Sequence, residues 1–201
     1  MLNKERIKEA EKNVQSYLNE GLIKKEQFNR IVLDILVNNS KESIETATFL
    51  SNNKKSNLWI IVSSYYSMFY IANAVLYKLG YKIGNKIAHK VTSDALIVYV
   101  RNKLKANLIE DFEEIKEEAL LLAKNKAEGL LENFDSERKK RGFIQYQTKE
   151  IEKTSKAETS LKRAKQFLLE MNHLLNTFDK IQQPKMKELW DNKHDDAWEN
   201  A

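Results

Sequence analysis

Five glycines and a single proline are all the backbone punctuation in this chain of 201 residues. The tight turns of sandwiches, barrels and doubly wound sheets draw heavily on those two residue types. A chain so poor in them, and so rich in Lys, Glu, Leu, Ile and Ala, is expected to be all-α. Hydrophobic residues make up 42% and charged residues 31% of the chain, a balance that permits a packed core and argues against wholesale disorder. Cysteine is absent, which removes a disulfide scaffold, a thiolate zinc site and a cysteine nucleophile. The opening stretch MLNKERIKEAEKNV has no apolar core of the signal-peptide kind. Together these two features give the expectation of a cytoplasmic protein.

Apolar residues recur at helical spacing along most of the chain. Residues 4–20 place Ile7, Ala10, Val14, Tyr17 and Leu18 on one face, and Gly21 ends the run. Residues 25–50 form a second expected helix, with Phe28, Ile31, Val32, Ile35 and Leu36 on one side and a kink expected at Asn38-Asn39-Ser40. In residues 58–79, 17 of 22 side chains are apolar or aromatic. A membrane span needs roughly 20 mainly apolar residues, but Ser63, Ser64, Ser67 and Asn73 interrupt this one. It reads as the central helix of a soluble bundle, so no membrane is expected. Further helices are expected over 87–104, 108–134 and 145–178, with Pro184 closing the regular part. The resulting fold is an antiparallel bundle of five or six main helices. The expected division is a helical arm (1–39), the bundle (40–180) and a tail (181–201) containing Trp190 and Trp198.

Charge is unevenly distributed over the net +5. Residues 110–137 hold ten acidic and three basic side chains, whereas 138–165 hold ten basic and three acidic. The second block opens with Arg138, Lys139, Lys140 and Arg141. A basic surface of this kind attracts phosphate polymers. Pairing between neighbouring acidic and basic helices is the competing explanation.

Chemistry-bearing motifs are few. No GxxxxGK[ST], HExxH or GxSxG pattern occurs, which leaves nucleotide-loop, zinc-hydrolase and serine-hydrolase readings without support. Asp191, His194 and Asp195 have helical spacing, yet one short cluster offers too few ligands to hold a metal. No cofactor or metal is expected. His173 lies within an apolar face beside Met171, Leu174 and Leu175, as a core or boundary histidine does.

The stretch Asn57-Leu-Trp-Ile-Ile-Val-Ser-Ser-Tyr65-Tyr66-Ser-Met-Phe69-Tyr-Ile-Ala-Asn-Ala-Val-Leu-Tyr-Lys-Leu-Gly80-Tyr resembles the "YYAMFHAARALLxxKGY" helix of the HEPN superfamily. These are helical proteins of prokaryotic toxin–antitoxin, nucleotidyltransferase-linked and defence systems. His89 falls where that family often has a histidine after the loop. Glu137-Arg138-Lys-Lys-Arg141-Gly-Phe-Ile-Gln-Tyr146 resembles the family's "RxxADY" junction, and Ala164-Lys-Gln-Phe167 its "A-x-x-F" ending. The resemblance covers about residues 40–180.

What the resemblance implies is a homodimer that binds RNA or a nucleotide through Arg138, Lys139, Lys140, Arg141 and His89, with a nucleotidyltransferase or an antitoxin as a protein partner. Many members are metal-independent endoribonucleases with an Arg-x4–6-His pair. There a histidine of pKa ~6.5 takes the 2′-hydroxyl proton, while arginine grips the phosphate. In this chain Arg141-x4 ends at Tyr146, and no histidine occurs between His89 and His173. A tyrosine of pKa ~10 is a poor base at neutral pH. The reading is therefore a binding protein lacking the full nuclease site. The alternatives are a metal-independent endoribonuclease with a divergent site, Arg141 and Tyr146 its first catalytic pair with Arg138 and the distant His89 as substitutes, or an adaptor that binds a protein partner. On one helix Arg138 and Tyr146 would stand about 80° apart, and Arg141 and Tyr146 about 140° apart.

Overall fold

The computed structural model describes the backbone of residues 3–104, 106–135 and 145–190, and their side chains except at 106, 125–135, 145–153 and 181–190. Six α-helices occur among them: α1 (Lys4–Asn19), α2 (Arg30–Asn52), α3 (Asn57–Lys78), α4 (Ala88–Tyr99), α5 (Ala106–Asp135) and α6 (Gln145–Trp190). A short 3-10 turn (Arg101–Lys103) and two strands, β1 (Ile23–Lys25) and β2 (Tyr81–Ile83), complete the order. The fold is the all-α helical bundle that the sequence leads one to expect.

Helix α3 is the axis of the bundle. It is apolar on nearly every side, so a single covering neighbour would leave apolar surface in water at roughly 25 cal/mol per Å². Helices α2, α4, α5 and α6 and strand β2 all pack on it. By length and composition this helix is apolar enough to cross a membrane, and 67% of its most apolar window lies inside the protein.

The four-residue connection between α2 and α3 makes them an antiparallel hairpin. Tyr77 accepts a hydrogen bond from the Asn29 backbone at 3.0 Å near one end, and the Ser40 hydroxyl donates to the Ser67 carbonyl at 2.8 Å further along. The buried row of α2 is Leu33, Ser40 and Ala47. Small side chains at two of these three positions let the helix backbones approach closely. Asn38-Asn39-Ser40 therefore brings no interruption, because Ser40 is a contact point and α2 runs through it.

Helix α6 follows α3 in the same direction. Asn57 bonds Thr154 at one end (2.8 Å) and Lys78 pairs with Asp179 at the other (2.6 Å). Lys78 is only 4% exposed and also sits over the Phe28 ring at 4.5 Å. Helix α5 runs against α6, with Arg163 pairing Asp111 and Glu114, each at 2.9 Å, and Lys156 reaching Glu118 at 4.0 Å.

Several sequence expectations change. The second helix begins at Arg30, not residue 25, because Ile23–Lys25 pairs antiparallel with Tyr81–Ile83. Ile31 and Ile35 are 68% and 52% exposed, because α2 turns its small-residue row toward α3 and these two fall outside it. Phe28 precedes the helix. Pro184 lies inside α6, which continues to Trp190. An interior proline removes one backbone donor and crowds the carbonyl four residues before it, a local cost that the helical turns on either side can outlast. Helix α2 runs through position 39/40, and α1 contributes Ala10, Val14 and Tyr17 to the same core as the other helices.

Helix α1 is held by a buried carboxylate. Asp94 on α4 is 0% exposed. It meets Arg6 at 2.7 Å, the Tyr17 hydroxyl at 2.9 Å and the Asn13 amide at 3.0 Å, all from α1. Arg6 also pairs with Glu113 on α5 at 2.7 Å. Burial alone would lower the Arg6 pKa, but the hydrogen bonds to Glu113 and Asp94 outweigh it and the guanidinium is held charged.

The helix ends are capped by recognisable means. Asn3 and Asn29 accept the Arg6 and Ile31 backbone N–H groups at the starts of α1 and α2. Gly21, at φ +70°, closes α1 with the Leu22 N–H on the Tyr17 carbonyl and the Gly21 N–H on the Leu18 carbonyl. The same bond pattern ends α2, but Lys54 occupies the left-handed position at φ +50°.

Two predictions follow from these contacts. Lys54→Gly should stabilise the protein by about 0.5–1 kcal/mol, because glycine lacks the Cβ that disfavours that conformation; a urea midpoint unchanged or lowered would contradict it. Asp94→Ala should destabilise by about 3 kcal/mol, since it strips a buried charge partner from Arg6 and hydrogen bonds from Tyr17 and Asn13. A loss below about 1 kcal/mol in chemical denaturation would show that α1 is held by its apolar face instead.

Candidate functional site

Two families of aromatic side chains lie on α3. The inner one surrounds His89, near the start of α4. The Tyr65 hydroxyl lies 2.6 Å from His89 Nδ1. The imidazole centroid is 4.8 Å from Phe69, 5.5 Å from Tyr65 and 5.9 Å from Tyr66. Tyr65 is fully buried and continues the stack toward Phe112, at 5.9 Å, which in turn meets Phe167 of α6 at 5.5 Å. The residues after the α3–α4 loop are placed by Ile87, whose left-handed backbone at φ +44° starts α4.

The protonation of this pair follows from burial. Desolvation, with some help from Tyr66, drives the Tyr65 phenol far above its ordinary range, so it keeps its proton. With the phenol protonated, the Tyr65 hydroxyl and His89 Nδ1 share one hydrogen bond, donated by the hydroxyl or by Nδ1–H according to the tautomer of the ring. Desolvation, and then the positive charge of Lys116, lower the His89 pKa and favour its neutral form. One ring nitrogen of His89 is engaged by Tyr65, which leaves Nε2 to meet any further partner.

Lys116 ties this cluster to the ion-pair network beneath α1. Its ammonium donates to Ser93 at 3.1 Å, and Ser93 donates to the same Glu113 oxygen that holds Arg6, at 3.0 Å. A continuous polar chain thus runs from Asp94 to the electrostatic neighbour of His89.

The outer aromatic family lines an open cleft of about 390 Å³ between α2 and α3. Trp59, Tyr66 and Tyr70 form its α3 wall, with Val62 and Ser63 between them, while Asn39, Glu42, Ser43 and Thr46 form the α2 wall. Tyr66 belongs to both families, since it lines the cleft and sets its ring edge against His89.

Of the residues singled out in the sequence, His89 is placed as just described. Arg138, Lys139, Lys140 and Arg141 lie outside the described residues. Tyr146 stands in the first turn of α6, its side chain likewise outside them. Asp191, His194 and Asp195 are also outside. Among the described residues no cluster of three metal-ligating side chains occurs. The described part of the basic block is partly neutralised, since Arg163 and Lys156 pair with acids of α5, whereas Lys162 and Lys165 are exposed. The cleft was not foreseen. Its sequence signal is Trp59, Tyr66 and Tyr70 at intervals of seven and four, which puts all three on one helix face.

No family model, no curated protein and no solved structure matches the chain.

The lowered His89 pKa has a measurable consequence. Unfolded histidine titrates near ~6.5, while the folded ring resists protonation. Stability should be undiminished above that pH and should fall as the pH drops from ~6.5 toward the lowered folded value, because the unfolded chain binds the extra proton. Urea midpoints at pH 5.5, 6.5 and 7.5 should show this decline, and His89→Gln should flatten it. A wild-type stability that increases on acidification through this window would disprove the assignment.

Proposed function

We propose that this chain is a HEPN-like helical protein of a toxin–antitoxin or defence system that binds RNA or a nucleotide, acts as a cytoplasmic homodimer and lacks a complete nuclease pair. The observation that carries the reading is the 2.6 Å contact between Tyr65 and His89. These two residues belong to separate stretches of the family resemblance, and spacing in a sequence alone does not bring two such stretches together. The surplus of seven positive charges in residues 138–165 supplies the attraction for phosphate. Binding is favoured over cleavage because the resemblance places Tyr146 where the nuclease histidine belongs, and His89 Nδ1 is already engaged by Tyr65. In this reading Arg138 and Arg141 grip phosphates, with Lys139 and Lys140 adding field, and a nucleotidyltransferase or an antitoxin is the protein partner.

A second reading, an adaptor for another protein, is favoured by one observation. Ile31, Ile35 and Phe49 are exposed along α2 at helical spacing, and exposed apolar rows of this kind commonly mark protein contacts.

Salt dependence separates the two. Each phosphate contact to a single strand contributes about −0.7 to the log–log slope of affinity against salt. Replacing Arg138 and Arg141 together by Ala should flatten the slope for single-stranded RNA by up to about 1.4 units with the helical circular-dichroism spectrum retained. Tyr146→Phe should leave binding nearly unchanged, and would abolish cleavage if the tyrosine hydroxyl served a divergent nuclease. Wild-type protein without salt-dependent affinity for RNA or nucleotides would overturn the reading in favour of the adaptor.

A further inference from the structure

We propose that the cleft between α2 and α3 is a nucleobase pocket, selective for a base with adjacent N–H donors such as guanine, whether in a free nucleotide or unstacked from RNA. The inference rests on the reading above, which supplies the phosphate attraction, and adds the identity of the base and the residues that recognise it.

The α3 wall offers π faces. Trp59 is 55% exposed on a helix whose other large side chains are mostly buried, and Tyr66 and Tyr70 continue its face along the cleft. Planar aromatic surfaces stack on any base without regard to sequence. The volume of about 390 Å³ is within the range of small-molecule sites.

The α2 wall supplies the selectivity. The Ser43 hydroxyl donates to the Asn39 carbonyl at 2.7 Å, and the Thr46 hydroxyl to the Glu42 carbonyl at 2.8 Å. With their protons committed to the preceding turn, both hydroxyls remain as acceptors. The Glu42 carboxylate makes no hydrogen bond or ion pair among the described residues. Apart from the Asn39 amide, this wall is made of acceptors and one negative charge. It repels phosphate and calls for N–H groups. Guanine presents N1–H and the N2 amino group side by side, a pair that one carboxylate accepts through two parallel charge-assisted bonds. Uracil sets a single donor between two carbonyls, which would lie against the carboxylate lone pairs.

Asn57, two residues before Trp59, bonds Thr154 at 2.8 Å, inside the basic block of α6. The cleft thus begins at the end of α3 that meets α6 at Thr154, while Glu42 keeps the phosphate itself out of the cleft.

Titration of the full chain with 5′-GMP, 5′-AMP, 5′-UMP and guanosine, read by quenching of tryptophan fluorescence, tests the proposal. GMP should bind at least roughly 10-fold more tightly than UMP, with guanosine retaining that preference at lower affinity. Trp59→Ala should remove the quenching and weaken GMP roughly 10-fold or more, with an unchanged circular-dichroism spectrum because the residue is exposed. Glu42→Gln should collapse the preference for GMP over UMP while leaving UMP binding intact. Equal binding of all bases, or indifference to both substitutions while RNA still binds in a salt-dependent way, would overturn the pocket and leave the RNA reading standing. Absence of any nucleotide or RNA binding to the wild type would overturn both. A change in tryptophan fluorescence on adding tetramethylammonium, with none on adding any nucleotide, would overturn the pocket and reassign the cleft to organic cations.

Discussion

A helix that is apolar on all sides cannot stop at the surface of a protein, and the architecture of this chain follows from that constraint. Fourteen residues of α3 are buried, far more than one neighbouring helix can cover. The covering is shared among α2, α4, α5 and α6, each of which needs only one apolar stripe and can keep charge on its outer side. Specificity comes from a few polar contacts at fixed points. Ser40 on the Ser67 carbonyl sets the register of α2, and the nearly buried Lys78 on Asp179 sets that of α6. A nonpolar helix alone would accept neighbours in several registers. Those contacts penalise the wrong ones by leaving a buried donor unpaired.

The second organising element is electrostatic. Asp94 occupies the middle of α4 with no exposure to solvent, yet three α1 side chains reach it. Burying an ion pair is seldom a net gain over apolar packing, but breaking one is costly. Here the pair fixes how a strongly charged helix docks on an apolar layer. Because the network continues through Glu113 and Ser93 to Lys116, the placement of α1 and the electrostatic surroundings of His89 share partners. Helix α1 is therefore tied to α4 and α5 through shared polar partners.

Much of this was legible in the residues. The apolar stripes of α1, α5 and α6 have regular spacing because each faces a single core, and spacing of that kind survives in a sequence. Ala10, Val14, Phe112, Ile115, Ala164 and Met171 are buried as their spacing indicates. Helix α2 was misread for a physical reason. Its largest apolar residues, Ile31 and Ile35, are exposed, while the row that touches α3 includes Ser40 and Ala47. Close helix approach selects small side chains, which hydropathy alone does not count. The β1–β2 ribbon is too short, at three residues a strand, to show an alternating pattern. Of the candidate site, Tyr65 and His89 could be singled out from sequence, but their bond could not, because it depends on the turn that begins α4. Asp94 follows Thr92 and Ser93, and nothing in that spacing marks it as the residue that three α1 side chains reach.

The parallel course of α3 and α6 also bears on how the chain is made. Lys78 and its partner Asp179 are separated by 101 positions. At the ~5–20 residues per second of ribosomal synthesis, the apolar flank of α3 destined for α6 waits on the order of 5–20 s before its cover leaves the ribosome. Helix α2, made earlier, shields another flank through a connection of only four residues. Until α6 is made, the flank of α3 that it covers has no partner within the chain, whereas the flank that meets α2 has one from the start.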